Sequence, residues 1–376
     1  ASGIKAAEAS ERTAKVKAFV KSQDKSAILE SFKRARLQQL QQVLSSRRNV
    51  SLKASSNPQE EKLNNFPTIG EVHSLVILVQ FADTKFSTVG SDAHQFFDNM
   101  LNEPGFTYSN GANGSARDFY LNSSNGRFQP KFDVIGPVTL PEKYSYYGAN
   151  KGSSTDNPVA LEEFVREACT LADPLVDFSQ YDTDGDGYVD NVYVFYAGYG
   201  QADSHYANTI WPHSYNLENA GKAVSLDGKI ISQYACSQEI NGQTDNPVGI
   251  GTFVHEFGHV LGLADHYDTK GDNYSLGDWD TMSSGSYTNN QNTPPLFSAF
   301  ERAELGWLNY TSLDADGKDV YSLKSLAQEN KAYRVAVPNS SHEYFILENR
   351  QNEGWDKYLP GHGMLVWHVD MDEAVW

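Results

Sequence analysis

Hydrophobic and polar positions divide the chain into three textures. Ala6–Val20 and Ser26–Leu44 are rich in Ala, Lys, Gln, Arg and Leu, with no Pro and no Gly after Gly3. Ile28, Phe32, Leu37, Leu40, Val43 and Leu44 recur there at roughly helical spacing, which predicts helices too thin to form a core alone. Ser45–Asn65 is polar and unpatterned and predicts an exposed linker. Arg47, Arg48 and Lys53 make that linker a target for a trypsin-like protease. From Val72 the texture changes: Val72–Phe81 is an almost unbroken apolar run, as a buried central strand requires.

The following segments predict helices near Ser91–Leu101 and Ser115–Leu121, and a hairpin over Arg127–Leu140. Asn157-Pro158 opens a further helix to about Leu171. Strands follow at Asn191–Tyr199, Thr209–Tyr215 and Lys229–Cys236, then a helix within Pro247–Asp265 and a closing helix over Phe297–Leu305. Tyr333–Val337, Tyr344–Asn349 and Gly363–Val369 return to β texture. The expected fold is α+β, a mixed sheet backed by helices. The expected domains are a helical segment with its linker (1–66), a main domain (67–312) and a β-rich C-terminal segment (313–376) cut from a longer parent.

The helix within Pro247–Asp265 carries the chemistry. His255 and His259, four residues apart, stand about 40° from each other around the axis, so both imidazoles reach one cation. Glu256 projects beside them as a general base toward water on that cation, which is the zinc hydrolase arrangement H-E-x-x-H. Asn246-Pro247 supplies an expected cap and first helical residue, and Gly262 an expected stop. Asp265 falls where the metzincin pattern H-E-x-x-H-x-x-G-x-x-H has its third ligand. His266, one residue on, is the alternative third ligand, since imidazole is the commoner zinc donor.

Two further motifs bear on metals. Asp182, Asp184, Asp186, Tyr188 (through its carbonyl) and Asp190, with Gly187 at the sixth position, reproduce most of an EF-hand-type calcium loop. Tyr193 stands where the bidentate Glu would be, so a structural ion is expected rather than a sensor. Asp268–Asp280 is a Gly/Asp-rich loop with room for a cation of its own. Met282, in a Ser/Gly turn after the helix, is placed as the methionine of a metzincin Met-turn.

Composition narrows the class. At 39% hydrophobic and 12% aromatic, the 376 residues support a substantial core, and no apolar run could span a bilayer. Cys169 and Cys236 are the only cysteines, enough for one bridge or two buried thiols. The net charge of −18 is uneven: residues 1–66 hold 13 Lys+Arg against 6 Asp+Glu (+7), and the other 310 hold 17 against 42 (−25). A basic segment lying on its own acidic neighbour accounts for both halves, and nucleic acid is not an expected partner.

The ordered combination HEFGHVLGLADHYD, WDTMSSGSY and YDTDGDGYVD resembles the secreted immune inhibitor A-type metallopeptidases of bacteria. IWPHSY, LGWL and YFILENR…GMLVWHVD extend the resemblance from about Val72 to the end. Ala264 stands where the family usually has Pro. The resemblance implies a metzincin-type zinc endopeptidase acting on proteins or peptides, exported as a precursor. Residues 1–66 would then be an inhibitory prosegment of an otherwise monomeric enzyme. Tyr287 and His213 are the candidates for oxyanion or substrate contacts. A catalytically silent, calcium-braced adhesion protein and a zinc amidase are the competing functions.

Overall fold

The computed structural model describes residues 66–151, 158–218, 221–267, 275–313, 322–340 and 342–371. The helices expected over residues 6–44 and the linker after them lie outside the described residues. The order is β1 (Gly70–Gln80), α1 (Ala93–Asn102), α2 (Ala116–Ser123), β2 (Phe128–Thr139), α3 (Tyr144–Gly148), α4 (Pro158–Ala172) and β3 (Val192–Tyr199). Next come α5 (Gln201–Ser204), β4 (His213–Asn216), β5 (Val224–Leu226), β6 (Lys229–Ile231), β7 (Gln233–Ile240) and α6 (Gly251–Val260). The described chain closes with α7 (Ala299–Glu304), β8 (Thr311–Ser312), β9 (Tyr333–Ala336), β10 (Glu343–Arg350) and β11 (Gly363–Asp370).

The main sheet is mixed, in the order β2-β1-β3-β7-β4, with only the β4 edge antiparallel. Successive side chains of a strand point to opposite faces, so a sheet covered on both faces needs unbroken apolar strands. β1 meets that condition. Leu75, Ile77 and Val79 pack with Phe164, Val165, Ala168 and Cys169 of α4, together with Val194 and Tyr196 of β3. Val76 and Leu78 share the opposite core with Phe97 of α1, Phe119 and Tyr120 of α2, and Phe253 and Phe257 of α6. Cys169 and Cys236 are both buried free thiols.

The hairpin expected over Arg127–Leu140 is a single strand instead. β2 runs parallel to β1 along its whole length, and the break in pattern at Gly136-Pro137 is a bulge. There the single Leu78 lies across from two residues, and a Cβ on Gly136 would stand 2.8 Å from the Leu78 carbonyl oxygen. The strand expected at Lys229–Cys236 is two, separated at Ser232, and the closing helix is shorter than the expected Phe297–Leu305. Its start is set by a capping box: Ser298 Oγ accepts from the Glu301 amide, while the Glu301 carboxylate accepts from the Ser298 amide.

β11-β10-β9-β8 form a second sheet, whose small core of Leu326, Ala332, Tyr344 and Ile346 includes Ala299 of α7. Arg350 of β10 is fully buried and bonds the Asp356 carboxylate through both Nε (2.7 Å) and Nη2 (2.5 Å). Its Nη2 also reaches the Leu296 carbonyl at 2.8 Å, tying the second sheet to the segment leading into α7. Removing one partner of a buried pair strands the other charge. Arg350→Ala is therefore expected to cost about 3–5 kcal/mol in urea unfolding. A loss below ~1 kcal/mol, the range of an exposed pair, would contradict this account.

Candidate metal centre

α6 does not begin where its sequence suggests. Asn246-Pro247 belongs to the turn that leaves β7: Asn241 N–H donates to the Asn246 carbonyl, and Ile240 bridges Pro247. The helix starts four residues later at Gly251, behind Ile250, which has no capping side chain. The cap comes from far along the chain, where the Gln291 carbonyl accepts the Gly251 N–H at 2.7 Å. A Cβ on Gly251 would lie 1.9 Å from the Ser286 carbonyl oxygen, and one on Gly249 2.2 Å from that of Gln291. These glycines let the helix end press against the segment after Met282. At the other end Gly262 takes φ +103°, a conformation side chains resist, and α6 stops as expected.

One side of α6, with Phe253, Val254, Phe257 and Val260, is buried in the core. His255 and His259 lie within a few ångströms of Asp265, which the turn at Gly262 brings back over the helix. Asp265 Oδ1 is 3.4 Å from His255 Nε2 and 3.2 Å from His259 Nε2. A tetrahedral ion with bonds of ~2.0–2.1 Å separates its ligands by about 3.3–3.4 Å. Asp265 Oδ1 is buried, with the two Nε2 atoms beside it and no closer donor, so the three groups fit a metal. Each Nδ1 is occupied: His255 meets the Thr281 carbonyl at 2.9 Å and His259 the Leu263 carbonyl at 2.9 Å. A carbonyl only accepts, so Nδ1 carries the proton and Nε2 presents a lone pair.

The electrostatics call for a cation at this point. Burial alone would lower the His259 pKa, but the Asp265 carboxylate outweighs it and, with Glu256, holds it at about 9. Burial likewise opposes ionisation of Asp265, yet the two imidazoles drive its pKa far below the ordinary carboxylate range. Without an ion, protons on the histidines balance the carboxylate; a divalent ion would displace them. Glu256 is 7% exposed, and burial raises its pKa, with the Asp265 charge adding to the effect and the two histidines opposing it.

Met282 is fully buried, and a Cβ on Gly258 would stand 2.5 Å from its sulfur. The missing side chain at Gly258 is what lets Met282 pack directly against α6. Tyr287 is 42% exposed. Burial, then the charges of Asp203, Glu256 and Asp265, push its hydroxyl's pKa up. His266 does not join the first cluster; its Nδ1 lies 3.0 Å from Asp280 Oδ2. His213 uses both ring nitrogens inside the fold, Nδ1 on the Trp211 carbonyl (2.7 Å) and Nε2 on the Tyr234 hydroxyl (2.8 Å). Tyr267 has no counterpart among the expected site residues. Its buried hydroxyl bonds the Asp265 carboxylate, and nothing in its spacing could have revealed that.

In the acidic loop, Asp182, Asp184 and Asp190 bring carboxylate oxygens within 4.8 Å of one another; Asp186 instead accepts the Tyr188 amide at 2.8 Å. Gly187 has φ +96°, and the loop is stitched to β6 by Val189 N–H to the Ile230 carbonyl and Ile230 N–H to the Gly187 carbonyl. Lys229 Nζ, 2.6 Å from Asp182 Oδ2, already supplies one positive charge there. Burial, with Asp184 and Asp182 adding repulsion, pushes the Asp190 pKa up to about 6.

The family profile described as "Immune inhibitor A peptidase M6, catalytic domain" matches residues 70–309. The chain is 28% identical over 249 residues to the pre-pro-metalloprotease PrtV of Vibrio cholerae serotype O1, covering 57% of this chain and 27% of that protein. It is 26% identical over 342 residues to immune inhibitor A of Bacillus thuringiensis subsp. alesti, covering 76% of this chain and 48% of that one. The chain thus spans less than half the length of either relative.

One consequence of the local electrostatics concerns acid. Burial lowers the His213 pKa to about 4, against about 6.5 in an unfolded chain. The unfolded state therefore binds more protons between those values, so stability falls as pH drops through that window. His213→Gln is expected to remove up to about 3 kcal/mol of the acid destabilisation between pH 6.5 and 4. Urea unfolding of both proteins across that range checks it, and unchanged slopes would refute it.

Proposed function

The chain belongs to the immune inhibitor A peptidase M6 family, and on that premise we propose that it is a zinc-dependent endopeptidase. The observation that carries this reading is Asp265 Oδ1 at tetrahedral-edge distance from two imidazoles whose other nitrogens are tied to carbonyls. His255, His259 and Asp265 would hold the ion, with Tyr267 orienting the carboxylate. When bound, zinc would polarise the scissile carbonyl and ease ionisation of water at neutral pH.

The chain's own residues supply the proton traffic. Glu256, raised in pKa by burial, takes a proton from the attacking water and delivers it to the leaving amine. Tyr287, whose hydroxyl is protonated at neutral pH, donates to the developing oxyanion. His213 is the weaker candidate for that donation, because both of its nitrogens are committed within the fold. Met282 and its turn position the site from below through the Thr281 carbonyl on His255. A general base of this kind serves no purpose in an adhesion scaffold, which favours the enzyme.

The domain arrangement we infer is a removable inhibitory segment (1–66), a metzincin-type catalytic domain (67–312) and a β-rich C-terminal segment (313–376). Support for a precursor comes from the opposed charges of the first segment and the rest, and from the "pre-pro" form named for the Vibrio relative. A secreted enzyme cutting extracellular proteins follows from the same reading. No helix among the described residues is long and apolar enough to cross a membrane. Asp182, Asp184, Asp186, the Tyr188 carbonyl and Asp190 would hold a structural calcium that braces the approach to β3.

Glu256→Gln is expected to retain zinc but to lose about 10²–10⁴-fold in casein hydrolysis; undiminished cleavage would sink the scheme. A second experiment addresses latency and calcium together. Trypsin should cut within residues 45–65 and raise activity, while the remainder resists digestion with calcium and is degraded in a calcium chelator. Cleavage without gain in activity would refute latency, and equal resistance in both buffers would refute the calcium site.

A further inference from the structure

The first metal cluster leaves a second group of ligating side chains unexplained. His266, Asp280 and Glu301 bring one donor atom each within 4.8 Å of one another. They come from three segments: the turn after α6, the approach to Met282, and the first turn of α7. Asp280 is 1% exposed and Glu301 is fully buried. Glu301 Oε2 is used in capping the Ser298 amide, but Oε1 has no partner, and neither has Asp280 Oδ1. Arg302, the adjacent cation, sends its Nε to the Phe297 carbonyl and its Nη1 to the Leu326 carbonyl and Asn330. Two buried carboxylates thus keep unpaired oxygens beside an imidazole, an arrangement that costs stability unless something else binds there.

We propose that His266, Asp280 and Glu301 bind a second transition-metal ion of the zinc class, structural in role and separate from the ion on α6. The donor set selects the metal. One imidazole with two carboxylates suits zinc, whereas calcium takes six to eight oxygens. A divalent ion also neutralises the two carboxylates while leaving His266 uncharged. His266 Nδ1 and Asp280 Oδ2, 3.0 Å apart as a hydrogen-bonded pair, would separate by a few tenths of an ångström to take the ion.

Its position gives the ion a task. The Asp280 carbonyl accepts from the amides of Ser283 and Gly285, and the His266 amide donates to the Met282 carbonyl. An ion on these side chains would clamp the turn that carries Met282 and Thr281 to the exit of α6 and the start of α7. The turn is the floor of the first cluster, since the Thr281 carbonyl holds His255.

The test is zinc per chain by mass spectrometry on the full chain, dialysed after zinc loading, with a crystal examined at the zinc absorption edge. The wild type is expected to hold two ions, Glu301→Gln one, and His255→Ala/His259→Ala one. Combining all three substitutions should leave none. A wild type with a single ion, lost in the histidine double variant, overturns this proposal and leaves the catalytic assignment standing. A single ion lost only in Glu301→Gln does the reverse. The wild-type count and the edge signal decide the matter even if a variant fails to fold.

Discussion

A carboxylate buried against two imidazoles is the constraint on which the rest depends. Asp265 can be ionised out of water only because His255 and His259 face it, and the histidines stay in register only because carbonyls hold their Nδ1 atoms. One carbonyl, Leu263, belongs to the turn that α6 makes at its own end. The other, Thr281, comes from a turn pressed against α6 where Gly258 has no side chain. Loss of either contact would free a ring to rotate and leave charge unbalanced in the interior.

That arrangement needs a rigid support, and the sheet supplies it by alternation. β1 gives one face to α4 and the other to α6, so the site-bearing helix packs on a surface whose reverse is also sealed. The glycines at 249 and 251 bring the start of the helix against the segment from Ser286 to Gln291. Helix, turn and sheet then form one packed unit. The second sheet joins through Arg350, whose charge is consumed internally by Asp356 and Glu348.

Much of the site was legible in the chain. His255, Glu256 and His259 share a helical spacing that needs no tertiary information, and Gly262 marks a stop by its freedom of φ. The strong β texture of Val72–Phe81 likewise predicts its place in the sheet. The start of α6 is not legible locally, because Asn246-Pro247 satisfies local cap rules, while the actual cap is a carbonyl some forty positions further along the chain. The apparent hairpin at Arg127–Leu140 failed similarly: a bulge and a turn both place Gly-Pro within an apolar run, and only the partner strand separates them.

By itself, then, the sequence determined what local spacing and composition control: the paired histidines with Glu256 beside them, the acidic loop, the apolar strands, and the family. Tertiary structure alone decided whether Asp265 or His266 stands beside the histidines, since adjacent residues leaving a glycine turn point in different directions. It also decided that Tyr267 bonds Asp265, and that His266 meets Asp280 and Glu301 instead. Those pairings join separate segments, and no periodicity within a single segment encodes them.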